Sequence, residues 1–169
     1  DRIIFGGSFD PPHRGHQSII RYVLEEGLAD HLDLIPAATS PFKMDDPPAG
    51  GPDRLGMLEA ALADLADEGA SCANCIHLRT IEIDRPPPSY TSETLARLRE
   101  EHPGRRLGLL IGSDSLHDLL RWHEVDDIFR KHPVYVFQRP GDRREELNAL
   151  IAQYAARDSR PEIQLLRNP

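Results

Sequence analysis

Seven residues, Gly6-Gly7-Ser8-Phe9-Asp10-Pro11-Pro12, interrupt the chain between an apolar run and a helical one, and no regular element can pass through them. Paired Gly loosens the backbone and paired Pro removes amide donors, so both helical and strand periodicity stop there. Ahead of them, Arg2 to Phe5 reads as a short buried strand. Behind them, His16 to Glu26 reads as a helix, with Ile19, Ile20, Val23 and Leu24 on one face and Gly27 closing it. The chain is committed at its outset to strand, turn and helix.

The alternation continues. His31 to Ile35 predicts a second strand, ending at Pro36. Residues 39–53 are rich in Pro, Gly and Asp and predict a long loop of the kind that is functional or mobile. Asp53 is expected to cap a helix carrying Leu55, Leu58, Leu62 and Leu65. Ile76 to Ile83 predicts a third strand, ended by Arg85-Pro86-Pro87-Pro88, and Thr91 is expected to cap a helix with Leu95 and Leu98. Leu107 to Ile111 reads as a strand buried on both faces, turned by Gly112-Ser113-Asp114 into a short helix through Leu120. A second short helix is expected at Glu124 to Arg130 and a fifth strand at Val134 to Phe137. Asp142 and Glu145 have capping-box spacing before a helix carrying Leu147, Leu150, Ile151 and Tyr154, and Ile163 to Leu166 reads as a last strand. Strands alternating with helices predict one α/β domain over residues 1–169, a parallel sheet with helices on both faces. In such sheets ligands bind beyond the carboxyl ends of the strands, where the strand order switches.

Net charge is −8 and the pI is about 5.4. An acidic surface argues against broad binding to a nucleic-acid backbone, so any phosphate site must be built from specific groups. No apolar run approaches the roughly 20 residues of a membrane span, so no membrane partner is expected. The opening Asp1-Arg2-Ile3-Ile4-Phe5 lacks the marks of a signal peptide, and a few residues are expected upstream of it. With only Cys72 and Cys75 as cysteines, this points to the cytoplasm. Their C-x-x-C spacing is half a zinc site or a redox pair, but no fourth ligand joins His77 and no thioredoxin-like strand-helix pattern follows, so two free thiols are the expectation. His117, Asp118, His123, Glu124, Asp126 and Asp127 lack H-E-x-x-H spacing and read as a solvated helical face. No exposed apolar stripe fixes an oligomeric state, and a homo-oligomer stays open.

The chemistry is written most densely at Gly6 to His16. Glycines there let backbone approach a ligand, and the following helix start favours an anion through its free amides and dipole. His13 and His16 lie three apart across Gly15, so both imidazoles can point N–H donors at one phosphate chain. The segment is neither G-x-G-x-x-G nor the P-loop.

Gly7-Ser8-Phe9-Asp10-Pro11-Pro12-His13-Arg14-Gly15-His16 resembles the G-[ST]-F-D-P-x-H-x-G-H signature of the nucleotidyltransferase superfamily with paired histidines. Ser89-Tyr90-Thr91-Ser92-Glu93-Thr94-Leu95 resembles the S-Y-T-x-x-T-L of bacterial nicotinate-nucleotide adenylyltransferases. Gly112-Ser113-Asp114-Ser115-Leu116 through Leu119 to Trp122 is similar to their G-x-D-x-L-x-x-L-x-x-W, and Arg139-Pro140-Gly141 to their R-P-G. Arg54, Met57 and Leu58 fit their second helix. The motifs follow in family order along nearly the whole chain. The resemblance implies a Rossmann-like doubly wound fold and transfer of the adenylyl group of ATP to nicotinate mononucleotide, with Mg²⁺ bridging the phosphates. It implies His13 and His16 as catalytic donors. Gly6, Gly7, Ser8, Phe9, Lys43, Gly112, Asp114 and Arg139 would bind ATP and its phosphates. Tyr90, Thr91, Trp122 and His123 would bind the nicotinate nucleotide, with the Trp122 indole stacked on the ring.

Two departures stand out. Phe42 replaces the His of the family's P-x-x-x-P-H-[KR], leaving Lys43. The family's I-S-x-T-x-x-R segment would begin where Asn168-Pro169 stand, so it is expected beyond them. Two other readings stay open: a relative that adenylylates pantetheine phosphate or another small phosphate, and a module that holds nucleotide without turnover.

Overall fold

The computed structural model describes residues 1–39, 44–67 and 75–167. Its backbone contacts divide into two compact units, Asp1–Tyr90 and the chain from Thr91 onward.

The first unit runs β1 (Arg2–Gly7), α1 (Arg14–Glu25), β2 (His31–Pro36), α2 (Gly51–Asp67) and β3 (Ile76–Leu78). Its strands are parallel in the order β3-β2-β1, with Arg2 opposite His31, Gly7 opposite Pro36 and Leu32 opposite Ile76. Strands covered on both faces read as continuous apolar runs. Ile3, Ile4, Phe5, Leu32, Leu34 and Ile35 are accordingly all buried. Ile19, Ile20 and Val23 are the buried face of α1, and Leu58 and Leu65 that of α2.

One ion pair sits inside this apolar layer. Arg2 on β1 donates from Nε and Nη2 to the two carboxylate oxygens of Asp33 on β2, at 2.8 and 2.9 Å. The Asp33 side chain is fully buried and that of Arg2 nearly so. The bidentate fork satisfies both partners and ties one strand to its neighbour.

The second unit runs α3 (Thr91–Glu101), β4 (Leu107–Gly112), α4 (Ser113–Asp118), a 3-10 turn (Leu119–Arg121), α5 (Val125–Lys131), β5 (Val134–Phe137), α6 (Arg144–Ala155) and β6 (Ile163–Leu165). Its strands are parallel in the order β4-β5-β6, Leu109 opposite Val134 and Val134 opposite Ile163. Every residue of β4 is buried. The Tyr154 hydroxyl of α6 donates to the Leu116 carbonyl at 2.9 Å, and Arg157 forks onto Asp126. His132, 5% exposed just before β5, donates from Nδ1 to the Leu107 carbonyl at 2.9 Å.

Local expectations fail where a residue's type was taken to fix a boundary. β3 stops at Leu78, because residues 80–85 coil into turns in which Asp84 N–H bonds Thr80 and Arg85 N–H bonds Glu82. Asp53 lies inside the first turn of α2, and Thr91 opens α3 rather than preceding it. Asp142 does not cap α6: Ser113 donates to its carboxylate, and the N-cap is Arg143. Cys75 is disulfide-bonded, correcting the free thiol expected at that position. Cys72 lies outside the described residues, as do Lys43 and Phe42. Among the described residues no helix is long and apolar enough to cross a membrane.

Removing one partner of a buried ion pair strands the other. Asp33→Ala should cost about 3–5 kcal/mol in urea unfolding, and Arg2→Met with Asp33→Leu should recover most of it. Burial, then the charges of Arg99 and Lys131, holds the His132 pKa below its ordinary 6.5 although the Leu107 bond opposes this. The folded state therefore favours neutral imidazole. Its contribution is full above pH 6.5 and is lost as pH falls through 6.5 toward the depressed folded value. Unfolding curves over that range should flatten with pH in His132→Gln.

Candidate functional site

β1 carries Gly6 and Gly7 at its carboxyl end, and a turn follows before α1. Phe9 at φ 47° adopts a backbone that L-residues with large side chains avoid, costing roughly 1–3 kcal/mol. It is held there by packing. Its ring meets Phe5 edge-on at 5.5 Å and His16 at 4.9 Å, and is buried. Gly7 fits this arrangement: a Cβ on it would meet the Phe9 ring at 3.4 Å.

α1 then opens with His13 as N-cap. The His13 and His16 rings stack with centroids 3.8 Å apart and planes 29° apart. The His13 amide donates to His16 Nδ1 at 3.2 Å. An Nδ1 that accepts leaves the neutral ring's proton on Nε2, so His16 is a donor at its far nitrogen. Gly15 makes room for the pair. Its φ is unremarkable for a helix, but a Cβ there would lie 3.0 Å from Cε1 and Nδ1 of His13. The conspicuous glycine of His13-Arg14-Gly15-His16 is thus a contact requirement and not a backbone one.

What fastens this turn is a residue that spacing alone did not single out. Arg54, 2% exposed on α2, donates from Nε to the Ala49 carbonyl at 2.7 Å and from Nη1 to those of Ser8 and Ala37 at 2.8 and 2.7 Å. Burial lowers its pKa, and the negative charge of Asp10 opposes that. Asp10 in turn accepts from the Ala49 amide at 2.8 Å. A signal existed: Arg54 stands four residues before Leu58, on the face that Leu58 and Leu65 bury. The Ser89 hydroxyl accepts from the Ala38 amide at 3.2 Å, and its own amide bonds Thr39. This fixes the segment leading to half-buried Tyr90.

In the second unit, Gly112 ends β4 and caps α4. Asp114, in the first turn of α4, pairs with Arg139 Nη2 at 3.0 Å, both about half exposed. A Cβ on Gly112 would fall 2.4 Å from the Asp114 carboxylate and 3.3 Å from Arg139 Nε. Ser113, fully buried, accepts from the Arg139 amide at 2.9 Å, and Gln138 donates to the Asp142 carbonyl at 2.7 Å. These bonds shape the Arg139-Pro140-Gly141 turn. Thr91 is half-buried at the start of α3. Trp122, half-buried, closes the 3-10 turn that follows α4, and exposed His123 lies 3.9 Å from Glu124. The carboxylates of the acidic stretch are taken by cations: Asp118 by Arg121, Asp126 by Arg157 and Asp127 by Lys131. The structure therefore groups Gly6, Gly7, Ser8, Phe9, His13 and His16 in one unit and Gly112, Asp114 and Arg139 in the other.

The sequence from 4 to 164 matches the cytidylyltransferase-like family model. The chain belongs to that family, among the nicotinate-nucleotide adenylyltransferases. It is 37% identical over 138 residues to the probable nicotinate-nucleotide adenylyltransferase of Salinibacter ruber, covering 82% of this chain and 67% of that one. It is 40% identical over 139 residues to the Rhodopirellula baltica relative, covering 82% and 61%. With that of Thermomicrobium roseum it is 36% identical over 156 residues, covering 92% and 69%. The chain thus spans about 60–70% of the length of these relatives. Plasmodium falciparum nicotinic acid mononucleotide adenylyltransferase complexed with NaAD superposes with a TM-score of 0.78 at 18% identity, covering 99% of this chain and 75% of that one. The same enzyme complexed with APC gives 0.75 at 18%, covering 99% and 74%. At that identity the likeness establishes the fold, a Rossmann-like α/β arrangement of parallel strands, as the alternation of elements predicts.

Gly15→Ala separates fold from site. Ala is favoured over Gly in a helix by about 1 kcal/mol, so stability should hold or rise. The displaced His13 ring should weaken nucleotide binding about tenfold, read by calorimetric titration with ATP. Equal ATP affinity would mean the His13 ring position is immaterial.

Proposed function

We propose that this chain transfers the adenylyl group of ATP to nicotinate mononucleotide, giving deamido-NAD and pyrophosphate, in the cytoplasm. The observation that carries the reading is the stacked His13–His16 pair at the start of α1, with the His16 Nδ1 accepting from the His13 amide, which puts the neutral ring's proton on Nε2. The 5′-phosphate of the acceptor is already anionic, so it can attack the α-phosphorus in line with no general base. Catalysis is then positioning and neutralisation of charge on the α-phosphate and the leaving pyrophosphate. His13 and His16 supply donors for that charge. Gly6, Gly7, Ser8 and Phe9 shape the backbone that receives the phosphates, and Lys43 would add a cation. Arg139, Asp114 and Gly112 would serve the ATP side. Tyr90, Thr91, Trp122 and His123 would hold the nicotinate nucleotide. The exposed part of the Trp122 indole suits a flat pyridinium, worth ~0.5–2 kcal/mol by stacking and cation–π attraction.

Mg²⁺ fits as a companion of ATP rather than as a resident of the protein. The carboxylates closest in sequence to the motifs are already engaged, Asp10 with the Ala49 amide and Asp114 with Arg139. Phosphate oxygens and water would hold the ion, which lowers the charge on the triphosphate.

The test is pyrophosphate release with ATP and Mg²⁺, comparing nicotinate mononucleotide, nicotinamide mononucleotide and phosphopantetheine as acceptors. Release with the first, much faster than with the others, is expected. His16→Ala should lower kcat by ~10²–10³, as for loss of an oxyanion donor. A loss under threefold would remove His16 from the mechanism. Release with a different acceptor would overturn the roles given to Tyr90, Thr91 and Trp122, and ATP binding without release would make the chain a nucleotide-holding module.

A further inference from the structure

The second unit carries a cavity that the proposed reaction does not use. It lies where β4 and β5 begin, at the opposite strand ends from Gly112 and Phe137. Its volume is about 500 Å³, and Arg99, His102, Arg105, Arg106, Lys131 and His132 line it. No lining residue is acidic. In a chain of net charge −8, three arginines, a lysine and two histidines around one hollow are a local inversion of the surface field.

Part of this charge has a structural reason. Arg99 and Lys131 stand in the last turns of α3 and α5, where cations favour the helix dipole. Lys131 also pairs with Asp127, and Arg106 forks onto Glu162 at 2.8 and 2.9 Å. Helix ends do not explain Arg105, which follows the turn at Gly104 (φ +77°) beyond α3. Arg99 and Arg105 make no ion pair among the described residues. The charges converge on His132, buried behind them: the fields of Arg99 and Lys131 add to burial in lowering its pKa. The guanidinium groups of Arg99 and Arg105, on one hollow with no carboxylate paired to either among the described residues, repel one another unless an anion lies between, and their forks match phosphate oxygens. The volume suits a small ligand. The acidic surface elsewhere disfavours a nucleic-acid strand, whose binding needs an extended basic face.

We propose that this cavity is a second anion site that takes a small oligophosphate, two or three linked phosphates, through Arg99 and Arg105. The probe is inorganic tripolyphosphate titrated into ¹⁵N-labelled protein. Saturable shifts are expected at the amides of Gly104 and Arg105, and they should persist in His16→Ala, whose first-unit phosphate site is impaired. The double variant R99E/R105E should weaken that binding about tenfold or more, with pyrophosphate release unchanged. R99Q/R105Q serves the same purpose if the charge reversal does not fold. Shifts confined to the Gly15 region, shifts that never saturate, or shifts that survive both double variants would each overturn the proposal. Because it reads binding at Gly104 and Arg105, a failure here leaves the adenylyl-transfer reading untouched, and the reverse holds.

Discussion

The first unit depends on a cation with no carboxylate in its hydrogen-bonding shell. Arg54 is removed from solvent and spends its donors on the carbonyls of Ser8, Ala37 and Ala49. Each of those carbonyls lies just outside a regular element, so each lacks the ladder partner it would have in a strand or helix. Irregular backbone brought together away from water is tolerated only where its polar groups are satisfied. One guanidinium does this for three separate segments, and Asp10 offsets its charge from a distance while bonding the Ala49 amide. The strained backbone of Phe9 and the stacked histidines stand on that platform.

The two units reach functional geometry by the same physical route. In each, a glycine stands beside a polar side chain, and the missing Cβ is what lets that side chain lie close. Gly15 leaves space for the His13 ring, and Gly112 leaves space for the Asp114–Arg139 pair. Neither position has a backbone angle reserved for glycine. Their role is volume, and the neighbour's placement is the quantity they set. The supporting bonds are likewise mainly to main chain: Ser113 to the Arg139 amide, Ser89 to the Ala38 amide.

Much of this was legible in the residues. Strands buried on both faces announce themselves as apolar runs, and β1, β2, β4 and β5 fall where those runs are. The break at Gly6 to Pro12 marked the turn before α1, but it placed the end of the strand too early: β1 runs on through Gly6 and Gly7, which pair with Ile35 and Pro36. Boundaries were less legible, because a cap is a matter of geometry and several residues can compete for it. Asp142 has the right type and spacing to cap α6, yet buried Ser113 takes its carboxylate. Ile81 is buried, as its alternation suggested, but in a turn rather than a strand. Arg54 was visible only as part of a pattern. That an arginine on an apolar helix face should gather three distant carbonyls requires knowing where Ser8 and Ala37 lie, which is tertiary information.

The orientation of His16 has a consequence for how this chain can vary. A side chain that fixes a histidine tautomer can be lost by substitution, and the ring is then free to turn over. Here the group that engages Nδ1 is the main-chain amide of residue 13, which every amino acid except proline carries. The proton on Nε2 is thereby written into the backbone. Drift at position 13 can change the neighbour of the ring, yet it leaves untouched the bond that decides which nitrogen of the neutral ring carries the proton.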